Sequence, residues 1–219
     1  MKKIMELNNL LSKYVDQGFF PGIQWQININ DKVYTGKYGL NNIETKKVVV
    51  HNSIYRIWSM TKPIIAVAAL QLIQEKKINL EDPITEYLPE FNNLNVMKKE
   101  DGDINDLEKI IKYPTIKNLL LHTAGFSYNF LADPIGKKYD ELGLFNSDYT
   151  TLQDEIKILS KVPLLFQPGA SWRYSVSMDI LARIIEIVLG NSLQNILKQK
   201  IFDPLNMKDT GFTVSEKNQ

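Results

Sequence analysis

Residues 55–70 begin Tyr55-Arg56-Ile57-Trp58-Ser59-Met60-Thr61-Lys62-Pro63 and continue without a break into Ile64-Ile65-Ala66-Val67-Ala68-Ala69-Leu70. The second half is apolar at every helical position, which predicts a helix buried all round. Pro63 fits a first turn, where its missing N–H would have had no partner anyway. Ser59 and Lys62 are three residues apart and share a face at the root of that helix, where free backbone N–H groups favour a developing oxyanion. A lysine placed there is partly withdrawn from water, the condition under which an amine can act as a base. The Ser-x-x-Lys spacing carries no weight alone, because 11 serines and 23 lysines produce about one such pair by chance. The apolar helix that follows gives the pair its meaning.

Outward from this stretch the chain changes character. Upstream, Leu7, Leu10, Leu11, Tyr14 and Val15 recur at helical spacing, and Gly18 and Pro21 end the helix they predict. Ile23, Trp25, Ile27 and Ile29 then alternate with Gln24, Gln26, Asn28 and Asn30, the pattern of a strand with one buried face. Asn30-Asp31 supplies a turn and Val33 to Tyr38 the return strand, with Val48 to Val50 a candidate third. Downstream the reading is helical: Met60 to Lys76, a short piece at Ile84 to Leu88, Thr115 to His122, Leu152 to Leu159, Met178 to Leu189 and Leu193 to Ile201, with a stop and restart at Gly190-Asn191-Ser192. The polar stretch from Asn92 to Lys109 reads as a solvated loop, and the order is strands first, then a long helical section with no strands after it. The fold class is α+β, a single partial domain over residues 1–219, with the N-terminal helix and two or three antiparallel strands in 1–58 and a mainly helical region in 59–219.

Composition excludes rival chemistries. The chain has 219 residues, 44% hydrophobic and 23% charged, with a net charge of +1, so it can bury a core but has no field to gather phosphates. Nucleic acid is not an expected partner. There is no cysteine and only two histidines, so a thiolate site cannot exist and neither a metal nor another cofactor is expected. The N-terminus lacks an apolar signal region, and the longest apolar run, Ile64 to Leu70, is far short of the roughly 18 residues of a membrane span. A cytoplasmic location is the resulting expectation.

A second chemical element is Phe166-Gln167-Pro168-Gly169-Ala170-Ser171-Trp172-Arg173-Tyr174-Ser175-Val176-Ser177. Pro168-Gly169 marks a turn, and a tyrosine in the loop before an apolar helix can point its hydroxyl into a cleft. Core packing is the commoner fate of such aromatics. With Ser59 and Lys62, however, Tyr174 can complete a proton relay, provided that its hydroxyl comes within hydrogen-bond reach of the serine.

Taken in order, these segments resemble the serine β-lactamase-related hydrolases, in particular the class C-like branch that includes carboxylesterases and acyltransferases. The similarity runs through Phe20-Pro21-Gly22, the stretch Tyr55 to Pro63, Leu80-Glu81-Asp82-Pro83 with Tyr87-Leu88-Pro89, and Leu119-Leu120-Leu121-His122-Thr123-Ala124-Gly125. It continues through Pro168-Gly169 with Trp172 and Tyr174-Ser175, and through Phe202 to Met207 with Thr210-Gly211-Phe212. The resemblance implies a β-lactamase/transpeptidase-like fold. It implies Ser59 as the nucleophile that becomes acylated, Lys62 as its base or proton acceptor, and Tyr174 as the tyrosine sharing that proton. The Ser59 N–H would be one oxyanion donor, and His122 would belong to a structural turn after a helix. Phe126, Tyr128 and Trp172 are candidate walls of the acyl pocket and equally candidates for core.

Two departures sharpen the expectation. The family's second motif is Tyr-x-Asn, but Val176 stands two residues after Tyr174, and an apolar side chain cannot hold a substrate amide, so simple esters are favoured over β-lactams. The family's third motif, on a strand beside the nucleophile, is absent, since Lys208-Asp209-Thr210-Gly211 carries an extra residue. The expectation is therefore the N-terminal portion of a longer serine hydrolase that cleaves small carboxylic esters or amides through an acyl-serine, partnered by a missing C-terminal segment. The alternatives are a non-catalytic remnant of the fold and a penicillin-binding peptidase or β-lactamase.

Overall fold

Asn30 and Asp31 both take positive φ, 45° and 62°, and Ile29 pairs with Lys32 across them. This is the two-residue turn whose twist matches that of flanking strands, and Asn and Asp tolerate it. In the computed structural model, which describes residues 2–145 and 151–214, the turn joins β1 (Gly22–Ile29) to β2 (Lys32–Asn42). β3 (Lys47–Val48) follows in an antiparallel sheet of order β1-β2-β3. The third strand is shorter than expected, and Val49 continues it only through its N–H to the Gly39 carbonyl at 3.0 Å. Helix α1 (Lys2–Asp16) is tied to the sheet where Tyr38 donates to Asp16 at 3.0 Å. These elements form one compact unit, which ends at Arg56; a second begins at Ile57.

The second unit is built on helices whose ends are written in the sequence. α2 (Thr61–Gln74) follows a 3-10 turn at Trp58–Met60. Thr115 caps α3 (Ile116–Leu120) with a reciprocal Asn118 side chain, and Ser192 caps α7 (Leu193–Leu197). Between them lie α4 (Pro134–Glu141), α5 (Leu152–Leu159) and α6 (Ser177–Leu189), the last closed by Gly190 in the left-handed region. α6 is the hub, packing on α2, α3, α5 and α7. Its Ile180, Leu181, Ile184 and Ile185 are buried with Ile65, Ala68, Ala69 and Leu72 of α2. No single helix among the described residues is long and apolar enough to cross a membrane.

Three expectations are corrected. Residues 92–109 are not simply a loop, because β4 (Asn95–Met97) and β5 (Leu107–Lys109) form a hairpin. Most of the charged residues sit in its connection, while Val96 and Met97 are buried and the backbone of Leu164 bonds to Asn95 and Met97, both at 2.9 Å. Strands therefore recur inside the helical region. α4 was not foreseen, although Asp133-Pro134 supplies its cap and first turn. α2 is not buried all round, since Val67 and Leu70 are 46% and 51% exposed. An apolar helix predicts burial only where a neighbour covers each face, and among the described residues none covers this one.

Candidate active site

The site is assembled by two loops stitched together through their backbones. Gly125 donates no side chain, takes φ +93°, and lies where a Cβ would come within 2.5 Å of the Phe166 carbonyl oxygen. Its own carbonyl accepts from Leu165 at 2.7 Å. On either side, Gly169 donates to Thr123 (2.8 Å), Arg173 to His122 (2.9 Å) and Val176 to Ser127 (3.1 Å). Residues 122–128 and 165–176 thereby run side by side, which sets Tyr128 beside Tyr174 with ring centroids 5.4 Å apart.

Ser59, Lys62 and Tyr174, selected from the sequence, come together. The Tyr174 hydroxyl is 2.7 Å from Ser59 Oγ, and Lys62 Nζ is 3.4 Å from the same oxygen. Ser59 sits in the 3-10 turn just before α2, and the preceding Trp58 takes φ +46°, a left-handed conformation that a bulky side chain adopts only under constraint from its surroundings. Lys62 Nζ lies 4.9 Å from the Tyr174 ring centroid and 5.1 Å from that of Tyr128, within the range of cation–π attraction.

The three residues given as pocket walls or core separate in the structure. Phe126 is 1% exposed and packs edge-on to Phe91, so it is core and cannot touch a substrate. Tyr128 is more than a wall, because its hydroxyl accepts from Lys62 at 2.9 Å and donates to Asp179 at 3.4 Å. Trp172 stays open to solvent at 63% exposure, edge-on to His122. Asp179 was missed by sequence reasoning. The available signal was a lone carboxylate between Met178 and Ile180 in the first turn of α6.

The two tyrosines are driven apart electrostatically. Burial works against ionising Tyr174, but the Ser59 hydroxyl and the Lys62 charge outweigh it and lower the phenol below its ordinary value. Burial, reinforced by Asp179, raises Tyr128 well above the usual phenol range. The two phenols are thus pushed in opposite directions, Tyr174 towards ionisation and Tyr128 towards staying neutral. His122 occupies the left-handed position after α3 (φ 55°), as its turn role required. Its Nδ1 accepts the Ser175 N–H at 3.3 Å, and burial together with Lys62 lowers its pKa, favouring the neutral ring.

A serine flanked by lysine and tyrosine at a helix root, on an α+β scaffold, fits a β-lactamase/transpeptidase-like fold. The Beta-lactamase family model matches residues 7–219, and the chain belongs to that family. It is 33% identical to esterase EstB of Burkholderia gladioli over 84% of this chain and 45% of the relative. It is 30% identical to lovastatin esterase of Penicillium rubens over 81% and 44% respectively. Among solved structures, EstCE1, described as a hydrolase with promiscuous acyltransferase activity, superposes with a TM-score of 0.82 at 27% identity, covering 99% of this chain and 54% of that one. The chain thus spans about half the length of the curated relatives it matches.

Proposed function

We propose that this chain carries the nucleophile and proton-transfer groups of a serine hydrolase or acyltransferase acting on carboxylic esters. The observation that supports it most is the 2.7 Å contact between the lowered phenol of Tyr174 and Ser59 Oγ, with Lys62 on the serine's other side. Ser59 Oγ attacks the ester carbonyl as its proton passes to the phenolate form of Tyr174, the form that the Ser59 hydroxyl and the Lys62 charge favour. Collapse of the tetrahedral species breaks the acyl–oxygen bond, the departing alcohol takes that proton, and the acyl group remains on Ser59. Water or a second alcohol then reverses these steps.

The surroundings favour esters with sizeable apolar groups over β-lactams. Val176 is fully buried in the core and offers the site no amide. Phe130, Tyr128, Tyr174, His122 and Trp172 form a row of rings with successive centroids 4.8, 5.4, 5.2 and 6.4 Å apart. Both ends of that row, Phe130 and Trp172, are exposed.

The test is covalent labelling by a fluorophosphonate probe with the modified residue read by mass spectrometry. Modification is expected at Ser59, absent in Ser59→Ala, and slowed about 10²-fold or more in Tyr174→Phe, the usual contribution of a proton-transfer group. A folded chain that the probe does not modify at Ser59 favours the non-catalytic remnant.

A further inference from the structure

The carboxylate of Asp179 has no role in the reaction above, yet it is wired to it. Asp179 is the third residue of α6, partly buried, and its Oδ2 accepts from the Tyr128 hydroxyl. A hydroxyl has one proton to give. With that proton directed at Asp179, the Tyr128 oxygen keeps its lone pairs for Lys62, which donates to it at 2.9 Å. The resulting chain runs Asp179, Tyr128, Lys62, Ser59, Tyr174.

An ordinary structural reading exists, because a carboxylate in a helix's first turn interacts well with the helix dipole. In α6, though, the side chain does not close a capping box: the N–H of the capping residue, Val176, is already bonded to the Ser127 carbonyl. The carboxylate instead turns towards Tyr128.

We infer that Asp179 is a positioning residue for the proposed acylation: acting through the Tyr128 hydroxyl, its negative charge balances the Lys62 ammonium and holds it against Ser59. The inference rests on the reading of Ser59 as nucleophile for its catalytic consequence, but not for its electrostatics. Burial lifts Asp179 to about 6, against the opposing pull of Lys62 and Tyr128. Falling pH therefore neutralises it within an accessible range and leaves Lys62 without its counter-charge. The titratable groups that face this network are Lys62 from α2, Tyr128 from the loop after α3, Tyr174 from the loop before α6 and Glu155 from α5, with His122 beyond Lys62.

Asp179→Asn removes the charge and keeps an oxygen to accept from Tyr128. Two measurements on the 219-residue chain decide the matter. In the first, the rate of Ser59 labelling by the fluorophosphonate is followed from pH 5 to 8. The wild type is expected to lose reactivity on an acidic limb near pH 6, and Asp179→Asn to react about tenfold more slowly at pH 7.5, the worth of one pKa unit, without that limb. In the second, the chain carries ¹³C at lysine Cε, and the Lys62 signal, assigned with Lys62→Arg, is titrated by NMR. An inflection near pH 6 is expected in the wild type and absent in Asp179→Asn. An inflection that survives in Asp179→Asn belongs to His122 and overturns the inference, as does wild-type labelling in that variant. If Ser59 is never labelled the acylation reading fails, while the NMR titration still decides whether Asp179 is the counter-charge of Lys62.

Discussion

His122 and Asp179 show how single side chains near one ammonium acquire opposite pH behaviour. His122 is lowered from 6.5 in the fold, so the stability it contributes is complete above its unfolded value and is lost as pH falls towards the folded one. Asp179 is raised from 3.8 to about 6, so its contribution is present below 3.8 and disappears as pH rises through 6, leaving a net cost at neutral pH. Urea unfolding between pH 4 and 8 checks both. His122→Ala is expected to lose about 1–3 kcal/mol at pH 7.5 by orphaning the Ser175 N–H. His122→Asn recovers most of this, because Asn accepts the same bond and tolerates positive φ. Asp179→Asn is expected to be more stable than the wild type at pH 7.5 and less distinct from it at pH 4. A residue that weakens the fold while serving its chemistry is a common bargain at functional sites.

At the scale of elements, legibility followed the chemistry of chain ends. α5 and α6 lie within a residue of their expected limits because Thr151 and Gly190 are terminators with a mechanism. The β4–β5 hairpin was hidden because its strands are three residues each and the charges between them dominate any window. Ser59, Lys62 and Tyr174 stood out because of their context, an apolar helix after the serine–lysine pair and a Pro-Gly turn before the tyrosine, not because of spacing alone. Tyr128 was seen only as a ring, and its hydroxyl's two bonds depend on loop pairing that no spacing reveals. α2 marks the other limit: its composition is uniform, but its two faces differ. Leu72→Ala, on the buried face, is expected to cost about 2–5 kcal/mol. Leu70→Ala, on the exposed face, should stay within about 0.5 kcal/mol, and the two denaturation curves read side by side test the distinction.

On the scale of the whole molecule, the two units differ in how much they bury. In the first unit only Val49 is buried among the described residues, whereas the continuous core lies in the second. A short ribbon with one helix is marginal by itself, and the helical unit is accordingly the part of this chain that carries its cooperative stability. The resemblance in sequence indicated a fold larger than the chain supplies, and the comparisons agree, with the chain matching about half of each relative.

The contact between Tyr174 and Ser59 joins positions 115 apart in the chain, and that between Lys62 and Tyr128 joins positions 66 apart. Helices form from neighbours, but these contacts require long loops to close first. Reactivity at Ser59 is therefore a late product of folding. When the chain is diluted out of urea, helical circular dichroism is expected to recover before the serine accepts the fluorophosphonate. Coincident recovery of the two signals would mean instead that the loops and helices of this unit arrive together.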